Sequence, residues 1–272
     1  MSAATRSRFA EVVRARPLDL GLACLLVGGE VQPDLDVDGA LAGLDALAAS
    51  ARPYVPVGST PAAAAAGLRV ALGERAGFGG SGEDYGDVRS SLLHEVLLRR
   101  RGLPLTLSVV WVEVARRLGV AASPVALPGH VVVALGDRII DPFSGGTVLD
   151  VEDLGARVRA ATGGPLRPEH LRPADPVDLL LRLLTNVRVL AARQDPALEA
   201  TRTRLWAVEL SLLLPRHPAE LRRERGELLV RLGDYPGGAR ELEAYAEVVE
   251  DADPGAAEQA ARAARLSRSR LN

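Results

Sequence analysis

Gly102-Leu103-Pro104-Leu105-Thr106-Leu107-Ser108-Val109-Val110-Trp111-Val112-Glu113-Val114-Ala115-Arg116-Arg117-Leu118-Gly119 reads as one helix bracketed by its own start and stop signals. Proline is welcome in a first helical turn, where its missing N–H is not needed, and glycine just past the last turn, where the chain turns left-handed. Leu107, Val110, Val114 and Leu118 share one face at helical spacing, while Glu113, Arg116 and Arg117 mark the side expected to be wet. So wide an apolar face predicts a helix packed centrally against a sheet.

The sheet is expected directly downstream. Val120–Leu127, His130–Leu135 and Arg138–Asp141 read as strands, with the β-branched run Val131-Val132-Val133 suited to a buried sheet and Gly136-Asp137 supplying a hairpin turn. Pro142-Phe143-Ser144-Gly145-Gly146 ends the strand section. A helix followed by antiparallel strands is an α+β pattern.

Upstream, residues from Arg6 to Ala51 predict two helices, with Gln32-Pro33-Asp34-Leu35-Asp36 as the turn and cap between them. An Ala-rich helix is expected from Pro61 to about Gly73, and a short one from Ser91 to Arg101 with Leu92, Val96 and Leu97 inward. The loop Gly77-Phe78-Gly79-Gly80-Ser81-Gly82 between them has no Gly-Lys-Ser/Thr and no preceding strand, so it is not a phosphate-binding fingerprint. Beyond a Pro-bearing linker at Arg167 to Pro176 the chain predicts only helices: Asp178–Ala192, Pro196–Leu214, Pro218–Leu232, Pro236–Val249 and Gly255–Leu266. Gly226 with Leu229, then Gly233-Asp234-Tyr235 and Ala239, fits one tetratricopeptide helix pair, whose small residues let helices cross closely. The expected division is a domain over 1–165 and a helical tail over 166–272.

Composition narrows the function classes. The chain has 272 residues and a formal net charge of −2, which argues against a nucleic-acid groove or attachment to an anionic membrane. All 33 basic residues are Arg, Ile occurs only at Ile139 and Ile140, and Asn only at Asn186 and Asn272. That joint bias is expected of a GC-rich bacterial genome, so Arg abundance says little about ligands. Cys24 is the single cysteine, which rules out an intrachain disulfide or a Cys-based zinc cluster, and its apolar surroundings predict an inert buried thiol. His94, His170 and His217 are scattered without metal-ligand spacing, so no metal and no cofactor is expected. Charges interrupt the N-terminus, and the apolar run Leu20 to Val27 is too short to span a bilayer. A cytoplasmic protein is the expectation.

A helix start at Pro104, then His130, then Asp141, follows the order used by cysteine acyl-transfer enzymes. In them a thiol at the N-terminus of a buried helix is stabilised as thiolate, a His on a neighbouring strand is the base, and an Asp on the next strand orients it. The runs Leu97 to Ser108, Val114 to Gly119, Leu127-Pro128-Gly129-His130 and Ile140 to Gly146 resemble the SirB transglutaminase-like family, and Pro33 to Asp36 and the helical tail fit it too. One departure is Ser90, where the family's Tyr-x-Asp-x-x-Asn-Ser stretch has Asn and this chain has Tyr85-Gly86-Asp87-Val88-Arg89-Ser90-Ser91. The resemblance implies a transglutaminase-like domain of papain-like cysteine-protease type, with an antiparallel sheet, and puts the nucleophile at Pro104.

Proline there removes both the thiol and a backbone N–H of the oxyanion hole, a donor worth about 3–4 kcal/mol of transition-state stabilisation. The expectation is a pseudoenzyme, a scaffold or a module binding a protein or peptide, with His130 and Asp141 as a remnant dyad. His130 also reads as a plain turn histidine, and Asp141 as a strand-ending turn former. The alternative is a residual hydrolase or acyl transferase using Ser108, His130 and Asp141, since Ser108 lies one turn beyond Pro104; against it, a mid-helix Ser commonly bonds the carbonyl of the previous turn. Arg99-Arg100-Arg101 reads as a solvated helix end, and Trp111 and Trp206 as core.

Overall fold

Side-chain oxygens of Asp19, Asp36 and Thr60 accept the N–H groups of Leu22, Gly39 and Ala63, and each opens a helix. In the computed structural model, which describes residues 3–193 and 197–270, the chain begins with α1 (Ala3–Val12), α2 (Leu20–Gly28), α3 (Val37–Ala51) and α4 (Pro61–Leu68). Three helices therefore precede Arg52 where two were expected. The extra one is α2, which is apolar all round and buried along almost its whole length, so no amphipathic spacing announces it. Asp36 caps α3 as expected. The Ala-rich helix is shorter than expected, because Arg69–Arg75 widens into a π-helical stretch.

After the Gly-rich loop come α5 (Leu93–Arg99) and α6 (Pro104–Arg117). The helix α6 is the centre of the first unit: Leu107, Val110, Trp111 and Val114 are fully buried, and it packs on α2, α3, α5 and the sheet. Each such side chain contributes roughly 1.5–3 kcal/mol by leaving water. Gly119, with φ of 77°, turns left-handed just past its end, as the sequence predicts. Glu113 is not on the wet side: it is 4% exposed, and its carboxylate is held by Arg117 at 2.6 Å and Arg116 at 3.1 Å. The glycine at position 21 in α2 makes room for it, since a Cβ there would sit 2.9 Å from its Cδ.

The sheet is an antiparallel meander in the order β1 (Ser123–Leu127), β2 (His130–Leu135), β3 (Arg138–Asp141) and β4 (Thr147–Leu149). Leu127 pairs with His130, Val133 with Ile140, and Asp141 with Thr147. The fourth strand was not expected; it is three residues long with two exposed, too short for a period to show. A seventh helix, α7 (Val151–Thr162), also lies outside the sequence expectation, although Asp150 and Asp153 form a reciprocal cap at its start and Gly163 ends it.

The remaining helices are α8 (Pro176–Ala192), α9 (Leu198–Leu213), α10 (Glu220–Arg231), α11 (Tyr235–Val249) and α12 (Pro254–Ser269). Their number and places match the sequence expectation, except that the expected α9 start at Pro196 lies outside the described residues. The chain forms two compact units, Met1–Leu183 and Leu184–Asn272. The division falls inside α8, downstream of the expected one at residue 165. Residues 166–183 join the first unit because the Ala174 N–H donates to the Pro124 carbonyl at 2.8 Å and Pro173 bridges to Val125 on the edge of β1.

In the second unit each helix from α9 onward packs on the next. A Cβ at position 226 would lie 3.0 Å from the Gly238 carbonyl oxygen, and one at 238 would lie 2.8 Å from that of Gly226. The helices α10 and α11 therefore meet backbone to backbone at two glycines. Arg188 and Arg204 converge on Glu224, and Arg225 joins Glu209 to Glu241. No helix among the described residues is long and apolar enough to cross a membrane.

Candidate functional site

Asp141 ends β3 and is fully buried. Pro142 then starts a single tight turn, Pro142–Ser144, that folds two donors back onto its carboxylate. Oδ1 accepts the Phe143 N–H at 3.0 Å and pairs with His130 Nε2 at 2.9 Å, while Oδ2 accepts the Ser144 hydroxyl at 3.0 Å and Arg157 Nη2 at 2.9 Å. Burial alone would push this carboxyl up. The bonds and charges of His130, Arg157 and Ser144 outweigh it and hold the group at about 2. With Asp141 ionised, His130 carries its hydrogen on Nε2, and Nδ1 is the nitrogen left for a ligand.

The sequence thus places His130 and Asp141 correctly side by side. Hairpin geometry accounts for this, because His130 opens β2 and Asp141 closes its neighbour β3. The Phe143 ring stands edge-on to His130 at 5.9 Å and packs on Tyr85 at 5.6 Å. Gly80 donates its N–H to the Phe143 carbonyl at 2.9 Å, and a Cβ on it would be 2.1 Å from the Phe143 ring and 2.8 Å from the Gly102 carbonyl oxygen. The Gly-rich loop is thereby a thin spacer between the His130 side of the sheet and the residues that lead into Pro104. Pro104 itself is buried in the first turn of α6, and α6 packs against both β2 and the Pro142–Ser144 turn.

Ser108 does not join the pair through a hydrogen bond. Its hydroxyl is fully buried and donates across to the Val131 carbonyl at 3.2 Å, rather than back along its own helix. Cys24 lies 1% exposed in α2; burial pushes its thiol upward, and the carboxylates of Glu113 and Asp19 add to the effect. His94 is part-buried in α5, while His170 and His217 bond locally to Arg167 and Leu214. No group of three or more candidate metal ligands occurs among the described residues.

The arginine triplet is a helix end with Arg100 and Arg101 exposed, as expected, and it is also tied to neighbouring segments. Arg99 pairs with Asp87 at 3.1 Å, Arg100 donates to the Ala76 carbonyl at 2.9 Å, and Arg101 reaches Ser81, Glu83 and the buried Asp84. Arg100 and Arg101 hold the two ends of the Gly-rich loop, beside an open groove of about 820 Å³ lined by Gly77, Gly79, Gly80, Ser81, Gly82, Glu83 and Arg101. Ser90, the departure from the family stretch, donates its hydroxyl to Asp84 at 3.1 Å. Its carbonyl accepts the Leu103 N–H at 2.9 Å and the Thr106 hydroxyl at 2.7 Å, so it anchors the start of α6.

Two arginines at the site escaped the sequence reading. Arg157 on α7 binds Asp141, and Arg182 on α8 donates to the Leu127 carbonyl at 3.0 Å, across the strand pairing from His130. In a chain whose 33 basic residues are all Arg, nothing local marks these two out.

Comparison with known proteins agrees with this architecture. Residues 38–185 match the transglutaminase-like superfamily, and residues 197–272 match the tetratricopeptide repeat. A UPF0162 protein of Xylella fastidiosa is 36% identical over 183 residues, covering 64% of this chain and 64% of that protein. A UPF0162 protein of Pseudomonas aeruginosa is 33% identical over 126 residues, 45% of this chain and 46% of its own length. Human F-box only protein 21 is 28% identical over 177 residues, 58% of this chain and 26% of its own. The match thus spans less than two thirds of each of these relatives. No solved structure matches.

Proposed function

The chain belongs to the transglutaminase-like superfamily, and from that membership we propose that it is a soluble SirB-type member without acyl-transfer chemistry, acting as a protein- or peptide-binding scaffold in a bacterial cytoplasm. The observation that carries this reading is the lack of an available thiol. Pro104 occupies the first turn of α6, and Cys24, the single cysteine, is sealed inside α2. A buried thiol pushed toward its protonated form is a poor nucleophile, and Pro104 also lacks the N–H that an oxyanion hole would draw on.

What remains is a rigid polar pair, His130 and Asp141, at one end of the sheet, with Phe143 and Tyr85 beside it. Such a site suits recognition of a polar group flanked by aromatic surface. The tetratricopeptide match supports a protein partner as well.

Treating the full chain with a fluorophosphonate probe and measuring intact mass tests the proposal. No adduct is expected, and His130→Ala is expected to keep the fold. An adduct on Ser108, or turnover of an ester that His130→Ala abolishes, would replace the scaffold with a serine hydrolase.

A further inference from the structure

Arg182 is half-buried, and among the described residues no carboxylate pairs with it. Four other arginines of the first unit differ in this respect. Arg157 meets Asp141, Arg99 meets Asp87, Arg101 meets Glu83 and Asp84, and Arg117 meets Glu113 and Asp45. A guanidinium with part of its hydration removed and only a neutral carbonyl in return is held at a cost, which an anion would relieve.

Its location gives that anion a place. The Leu127 carbonyl that takes one Arg182 N–H belongs to the residue paired with His130. The Tyr85 phenol is close enough to both Asp141 and Arg182 to feel their charges, and the residue is 42% exposed. The charges close on a single unit. Arg157 neutralises Asp141, which leaves the positive charge of Arg182 uncompensated at the strand end that carries His130. One net positive charge, a planar fork and a phenol match a monoanion with two coplanar oxygens better than a dianionic phosphate.

We infer that Arg182, with Tyr85, forms a carboxylate-binding site for a peptide ligand at the strand end that carries His130, the carboxylate being either a chain terminus or an acidic side chain. The inference rests on reading the His130–Asp141 pair as part of a binding site, and it adds the ligand's chemical class. The acidic product of an acyl transfer and a free peptide end share this chemistry, so no reaction is required.

The test is an NMR titration of the full chain at constant ionic strength, following the His130 and Tyr85 ring signals. The probes are N-acetylglycine for a terminal carboxylate, N-acetylglutamic acid α-amide for a side-chain one, N-acetylglycinamide as the neutral control, and inorganic phosphate. Either carboxylate is expected to give saturable shifts, and the tighter one identifies the source. Arg182→Gln is expected to weaken binding at least about tenfold, the scale of one charge-assisted hydrogen bond. Arg182→Lys, which keeps the charge and loses the fork, is expected to fall between, and thermal melts check that both variants fold. Shifts of equal size with N-acetylglycinamide, tighter binding of phosphate, unchanged affinity in Arg182→Gln, or no shift with any carboxylate would each overturn the site. The scaffold reading fails by a different signal, a probe adduct on Ser108, so the two outcomes are separable.

Discussion

Asp141 carries more interactions than any other side chain at the site, and its four partners make it a source of pH-dependent stability. Its carboxyl is held at about 2 in the folded chain, against about 3.9 when unfolded. The unfolded state therefore binds the extra proton first as pH falls. This stabilisation is complete above about pH 5 and is lost as pH drops from there through about 2, and the shift amounts to roughly 2.5 kcal/mol. Urea denaturation between pH 5 and 2 should show this loss in the wild type and not in Asp141→Asn, which is expected to be less stable throughout because Arg157 loses its carboxylate. At Pro104 the prediction concerns chemistry. Pro104→Cys is expected to fold, because the first helical turn accepts most residues, and to carry a thiol below the free value of about 8.5. Iodoacetamide rates against pH will measure it, and a titration midpoint above the free value would remove the equivalence with a nucleophile site. Both partners of the His130–Asp141 pair were legible in the sequence, because a hairpin brings together the residues at adjacent strand ends. Arg157 and Arg182 were not, because helices separated in sequence supply them and only tertiary packing brings them there.

Among the elements, those with a period were readable and those without were not. The helix α6 announces itself through its apolar stripe and its terminal Pro and Gly, and β2 through three consecutive valines. The helix α2 hides because it is buried on every side, and β4 because three residues are too few for alternation. Glu113 misled for a related reason. A carboxylate marks a wet face only when no pair of arginines on its own helix can escort it inside. The small residues of the tail were legible as a close helix crossing, and the structure makes Gly238 the partner of Gly226. Gly226→Ala should therefore destabilise the second unit by about 1–3 kcal/mol, the usual cost of forcing extra volume into a packed contact. Hydrogen exchange of α10 and α11 amides will read it, and unchanged protection would mean that the crossing can widen without loss.

For the whole molecule, the position of the unit boundary decides where the chain can be cut. Val177, Leu179, Leu180 and Leu183 are buried and belong to the first unit. A chain ending at residue 175, before these side chains, is expected to aggregate, whereas one ending at residue 192 is expected to stay soluble and retain Arg182. Size-exclusion chromatography of the two truncations distinguishes the cases. If the shorter chain also elutes as a folded monomer, α8 is dispensable to the first unit.

The sealed position of Cys24 has a use in the laboratory. With its one native thiol 1% exposed inside α2, the wild-type chain is a silent background for maleimide dyes and spin labels. A single change such as Val57→Cys, at a side chain 84% exposed, would place one reporter without first stripping the protein of cysteine.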